Sequence, residues 1–202
     1  MGSSVDARRL LEAVWSDYAQ DPAFNSLRSW MDPEVGTVRF VPGEGSMRPW
    51  VTFIGEAPGA DEDRMGRPFV GQSGQLIRSL IAEELKLDPA DCWITNVVKY
   101  RPLNNATPNI RDQINSWPYL RRELECLAPR AKVVVPLGAV AWSVFDPSMS
   151  ISSVEGTMRM GKNGWLIVPM FHPSFIGRNP KQRLPQYRKR FAVIREAIDT
   201  PE

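Results

Sequence analysis

Four short apolar stretches, Trp50 to Ile54, Trp93 to Val98, Lys132 to Leu137 and Trp165 to Met170, are rich in β-branched and aromatic residues and predict strands. Between them the apolar positions take up helical spacing. Ser73 to Leu87 places Leu76, Ile77, Leu80, Ile81 and Leu85 on one helical face. Thr107-Pro108 predicts an N-cap with proline at the first helical position, opening a helix that runs, with a break at Pro118, to Leu127. Gly138 to Phe145, Gln186 to Ile198 and Val5 to Tyr18 supply further helices, and Asn25 to Met47 is the least regular stretch. Strands alternating with helices predict a parallel, helix-covered sheet. Sites in such sheets lie in loops beyond the C-terminal ends of the strands, here after Ile54, Val98 and Met170.

At 202 residues, with 43% hydrophobic and 24% charged content, the chain is long enough for a full core, and one domain over residues 1–202 is expected. No apolar run approaches the roughly twenty residues of a membrane span. Met1 to Gln20 mixes Asp6, Arg8, Arg9, Glu12 and Asp17 among its apolar residues. A soluble, cytoplasmic monomer with no membrane partner is the expectation. Cys92 and Cys126 are the only cysteines, too few for a disulfide framework and wrongly spaced for a zinc site. The net charge of +2 permits nucleic-acid binding without demanding it.

Three segments carry candidate chemistry. The first, Gly55-Glu56-Ala57-Pro58-Gly59-Ala60-Asp61-Glu62-Asp63 followed by Gly66 to Gly74, leaves a strand and opens a helix. It lacks the signatures of a P-loop or a dinucleotide fold, though Gly71 and Gly74 at a helix N-terminus would let backbone amides approach a phosphate. The second, Ile94 to Pro102, sets Asn96 in an apolar strand, where an amide can pair with the edge of a base. The third, Val168 to Pro180, ends a strand on His172-Pro173-Ser174, and His172 is the one histidine of the chain. Taken singly, each of these residues is more often structural.

Together the three segments resemble the family-4 uracil-DNA glycosylases. The motifs of that family have the forms Gly-Glu-x-Pro-Gly, Gly-x-Pro-Phe-Val-Gly, Ile-Thr-Asn-Val-Val-Lys and His-Pro-Ser. The match is ordered and runs from Val38 to about Pro180. It implies a three-layer α/β/α sandwich with a four-stranded parallel central sheet. It also implies a monofunctional DNA glycosylase that flips uracil out of DNA and hydrolyses its N-glycosidic bond, leaving an abasic site for base-excision repair.

The resemblance assigns Glu56, Asn96 and His172 to catalysis: Glu56 positions water, Asn96 reads the base edge, and His172 donates to the base oxygen. Gly55, Ala57, Pro58, Gly59, Glu62 and Phe69, with Asn96, would form the base pocket. Gly71, Ser73, Gly74, Ser174, Phe175, Ile176 and Arg178 would contact DNA, with Phe175 or Ile176 as the wedge that holds the duplex open. Lys181, Arg183, Arg188, Lys189 and Arg190 follow as candidate phosphate contacts.

The chain departs from the family-4 pattern at the cluster cysteines, and two further positions set it apart from other members of the superfamily. Where family-4 enzymes carry iron–sulfur cysteines, it has Tyr100 and Trp117, so the cluster is expected to be absent and no cofactor or metal is expected. Ala57 stands where many members of the superfamily place an Asp, and Gly59 where other branches carry a bulky aromatic that excludes C5 substituents. Two other functions follow from these departures: excision of another pyrimidine, such as a 5-substituted or glycosylated cytosine of phage DNA, or a catalytically weak DNA-binding accessory role. An acidic metal site at Asp61, Glu62 and Asp63 is a further alternative, against the simpler reading of a solvated turn.

Overall fold

A computed structural model of the chain describes residues 4–32, 36–130, 132–161 and 164–200. The irregular Asn25 to Met47 stretch includes residues 33–35, which lie outside the described residues. In chain order the elements are α1 (Ser4–Gln20), α2 (Asn25–Arg28), β1 (Met31–Asp32), β2 (Gly36–Thr37), β3 (Glu44–Gly45), β4 (Thr52–Gly55), α3 (Ala60–Met65), α4 (Gln72–Leu80), β5 (Trp93–Asn96), α5 (Ile110–Glu125), β6 (Val133–Pro136), α6 (Ala139–Ser143), α7 (Ile151–Val154), β7 (Arg159–Met160), β8 (Leu166–Ile167), α8 (Pro173–Gly177) and α9 (Pro180–Asp199).

The main sheet has the order β3-β5-β4-β6-β8-β7. Its four central strands are parallel, as expected; a two-residue antiparallel strand on each edge extends it to six. Edge strands this short carry no periodicity of their own and exist only through pairing with β5 and β8. All four residues of β4, β5 and β6 are buried, so these strands read as continuous apolar runs rather than alternating ones. Side chains nevertheless divide by strand parity. Val51, Phe53, Ile94, Val133 and Val135 pack with Ile77, Leu80, Tyr187, Phe191 and Ile194 on one face. Ile54, Trp93 and Val134 pack with Leu11, Tyr18, Leu120 and Leu124 on the other. The layers are therefore α4 and α9, the sheet, then α1 and α5.

Several boundaries differ from expectation. Helix α5 is capped by Asn109, whose side chain accepts from the Asp112 amide at 2.9 Å, and begins three residues beyond Thr107. Pro118 does not break it. The Ile114 carbonyl that Pro118 leaves without an amide belongs to a residue 63% exposed, on the solvent side of the helix. Helix α9 likewise contains Pro185 and starts at Pro180 rather than Gln186. Helix α4 passes into a π-helical turn over Ile81–Leu85, ending on Lys86 at φ 56°. Helix α3 forms inside what reads as a glycine-rich loop, because the Glu62 carboxylate accepts from the Gly59 amide at 3.1 Å.

The chain leaves β4 toward β5 on one side and leaves β6 toward β8 on the other, which opens a crevice at the C-terminal ends of β4 and β6.

Candidate active site

A cleft of about 520 Å³ fills this crevice. Its floor depends on Gly55, the last residue of β4. A Cβ built there would lie 2.5 Å from Phe69 Cζ and on Asn96 Oδ1, so only glycine lets these two side chains meet. Phe69 is held with φ at +55°, a region that bulky residues avoid. The loop around it over-determines that conformation. Glu62 accepts from the Val70 and Gly71 amides at 2.9 and 2.8 Å, and Arg78 donates to the Phe69 carbonyl at 2.9 Å. Gly74 lies against the Phe69 backbone so closely that a side chain would have no room. Asn96, the last residue of β5, is 3% exposed. Among the described residues no hydrogen bond engages its side-chain amide, which lines the cleft beside Phe69 and His172.

His172 caps α8. Its Nδ1 accepts from the Ser174 amide at 3.2 Å and lies 2.8 Å from the Ser174 hydroxyl. Burial pushes its pKa down to about 4, with nearby Glu62 opposing and Arg178 adding to the shift. The ring is therefore neutral at physiological pH. A neutral imidazole whose Nδ1 accepts carries its proton on Nε2, a donor with no partner among the described protein groups. The ring centroid of Phe69 is 6.3 Å away. Gly138, at φ +92°, passes behind this ring: a Cβ there would approach His172 Cβ to 3.0 Å.

Glu56 lines the cleft half-buried, and burial raises its pKa above the ordinary carboxylate range, while a hydrogen bond with the Thr107 side chain opposes the rise. Thr107 thus serves Glu56, not the helix that sequence reading has it cap. Ala57, Pro58, Gly59 and Glu62 line the same cleft.

The expected DNA contacts divide. Ser73, Ser174, Phe175 and Arg178 line the cleft, and Arg178 is exposed. The Gly71 amide is committed to Glu62 and is no free phosphate donor, while Gly74 packs closely against the Phe69 backbone. Ile176 is 2% exposed within the core and does not project as a wedge. Phe175 is half-buried, its ring 4.9 Å from Phe171 and 3.8 Å from the Arg183 guanidinium. Arg188 pairs with Glu83 and Glu84, and Arg190 with Glu155; Lys181 and Lys189 are exposed.

The three acidic residues of α3 do not converge. Asp61 pairs with Arg64, Glu62 holds backbone amides, and Asp63 Oδ1 accepts from the Arg39 amide at 2.7 Å. The residues of the iron–sulfur positions do not fit a cluster either. Tyr100 packs against Tyr18 and Phe40 at 6.0 and 5.7 Å, and Trp117 faces Phe145 at 5.2 Å. Burial also pushes the Cys92 thiol up to about 12, with Asp91 and Asp88 adding and Arg78 opposing, which disfavours a thiolate ligand.

Sequence reading misses Gly138, Ala139, Pro102, Asn105, Ala106 and Thr107, all lining the cleft. The rule that sites follow parallel strands, applied to the loop after Leu137 as well, would have found the first two.

Comparison with known proteins agrees with this geometry. The family model of the uracil DNA glycosylase superfamily matches residues 42–197. The type-4 uracil-DNA glycosylase of Thermotoga maritima is 40% identical over 146 residues, 71% of this chain and 74% of that protein. That of Sulfurisphaera tokodaii is 38% identical over 171 residues, 80% and 76% of the two chains. A type-5 uracil-DNA glycosylase of Mycobacterium tuberculosis is 29% identical over 167 residues, 69% of this chain and 61% of its own. With a cleft at the switch point of a parallel sheet, Asn96, Phe69 and a neutral His172 within it, and a family match over most of its length, the chain belongs to the uracil DNA glycosylase superfamily.

Proposed function

We propose that this chain hydrolyses the N-glycosidic bond of uracil in DNA, releasing the free base and leaving an abasic site for base-excision repair. The observation that carries this reading is the unpartnered Asn96 amide on a floor shared with the Phe69 ring and a neutral His172. A flipped uracil stacks on Phe69 and pairs its polar edge with Asn96. As the bond from C1′ to the base nitrogen breaks, its electron pair leaves with the base, and negative charge gathers on a carbonyl oxygen. The His172 Nε2–H donates to that oxygen, an interaction stronger in the transition state than in the ground state. Glu56, held by Thr107, orients the water whose oxygen bonds to C1′ and takes its proton. Arg178 and Phe175 meet the DNA at the rim, with Phe175 as the apolar residue facing the opened stack. No cofactor takes part in this scheme.

Gly59 supports a second reading, excision of a larger 5-substituted pyrimidine, because the position carries no side chain against the base. The same position is restricted, however: a Cβ there would stand 2.9 Å from Glu62 Oε2, the carboxylate that fixes the loop under the base. Oligonucleotides containing uracil, thymine or a 5-substituted cytosine, in single and double strands, separate the two. Uracil release is the expected result. Release of the substituted base with uracil left intact would replace the first reading by the second.

A further inference from the structure

The side of β5 away from the cleft holds an ion pair that the proposed chemistry does not use. Lys99 Nζ lies 2.8 Å from Glu123 Oε2, with side chains 1% and 0% exposed. The ammonium has three protons and three acceptors: Glu123, the Thr95 hydroxyl and the Asn96 backbone carbonyl, the last at 2.8 Å. Glu123 in turn accepts from Trp93 Nε1 at 2.9 Å and Trp15 Nε1 at 3.1 Å, which ties the arrangement to β5 and α1. Burial pushes the Glu123 carboxyl up, but Lys99, Thr95 and Trp93 together outweigh it and keep the group ionised.

An ion pair buried this completely is a poor source of stability, since desolvation offsets most of its Coulomb attraction and apolar replacements are often as stable. What it supplies is direction. Asn96 is the point where β5 leaves the sheet, and its backbone is held from two sides, by its register with Gly55 on β4 and by the Lys99 ammonium on its carbonyl.

We propose that Lys99, oriented by Glu123, is a positioning residue that sets the depth and angle at which Asn96 meets the base. The inference rests on the reading of Asn96 as the base-contacting amide. Misplacing a reacting group by about 1 Å costs roughly 100-fold in rate, and β5 without the ammonium has no other group on that carbonyl among the described residues.

Wild-type uracil release in single turnover is measured first; no release would sink the proposed function itself. The double variant Lys99→Met/Glu123→Leu removes both charges and keeps the volume apolar. It is expected to fold, to bind uracil-containing DNA as the wild type does, and to release uracil about 10- to 100-fold more slowly. Asn96→Ala introduced into this background should then cost correspondingly less than in the wild type, because the two changes act on one contact. A merely structural pair would give additive losses. Glu123→Gln, which keeps the shape and one of the two acceptor oxygens, gives the same cycle where the double variant does not fold. The Asn96 side-chain signal in a nitrogen–proton correlation spectrum, assigned through Asn96→Ala, gives a reading without substrate and should move in either background. Release within two-fold of wild type in a folded variant, an undiminished Asn96→Ala penalty, or an unmoved Asn96 signal overturns the inference.

Discussion

The two faces of β5 differ in how they treat polar atoms. On the cleft face the Asn96 amide opens onto the cleft and lacks a partner among the described residues, and the neighbouring His172 keeps one ring nitrogen free. On the opposite face Thr95, Lys99, Glu123 and two indole nitrogens satisfy one another, while the Tyr18 hydroxyl accepts from the Lys99 amide at 3.1 Å and lies 2.8 Å from Ser116 Oγ. The cleft face thus keeps donors and acceptors turned to an open cleft, ready for a ligand. The other face is closed to ligands and holds the strand in place. A single strand can do both because successive side chains point to opposite sides.

The largest expected effect lies on the closed face. Glu123→Ala strands an ammonium and two indoles, and should destabilise the fold by about 3–5 kcal/mol in urea or thermal unfolding. A loss under about 1 kcal/mol would show that solvent reaches this network and would erase the contrast. On the open face, Asn96→Ala should slow uracil release roughly 100- to 1000-fold while leaving unfolding near the wild-type curve, since the amide has no internal partner to lose. If the melting temperature fell as far as in Glu123→Ala, Asn96 would belong to the scaffold instead.

The smallest expected effect concerns pH. Burial raises Glu56 and lowers His172 to about 4, so acidification should neutralise the carboxylate before it charges the imidazole. The single-turnover rate should fall with an acid limb above the usual carboxylate range. Glu56→Gln should lower the plateau and remove that limb, leaving a drop near pH 4. An acid limb that Glu56→Gln leaves in place would assign it to another group. The same His172 shift bears on stability: between its ordinary 6.5 and about 4 the unfolded chain binds more protons, so this group's effect favours folding as pH rises through that window.

Thr107 and Gly138 show the limit of local reading. A threonine before a proline is a sound N-cap pattern, yet Asn109 two residues later takes the cap and Thr107 turns to Glu56, a residue 51 positions away. Gly138 reads as the start of a helix, whereas its conformation and missing Cβ are set by His172, which arrives from a different strand. Ile176 fails as a wedge for the converse reason: its place just after His172 suggests the rim, but one turn of α8 rotates it into the core.

The sequence by itself determined the alternation of buried strands and helices, the parallel central sheet, and the candidacy of Glu56, Phe69, Asn96 and His172. Each is written in local periodicity or in a short ordered motif. Only the tertiary structure decided the edge strands, the floor that Gly55 leaves open, the tautomer of His172, and the pairing of Lys99 with Glu123. These depend on contacts between residues far apart in the chain, and a contact of that kind leaves no pattern in either partner's neighbourhood until the sheet brings them together.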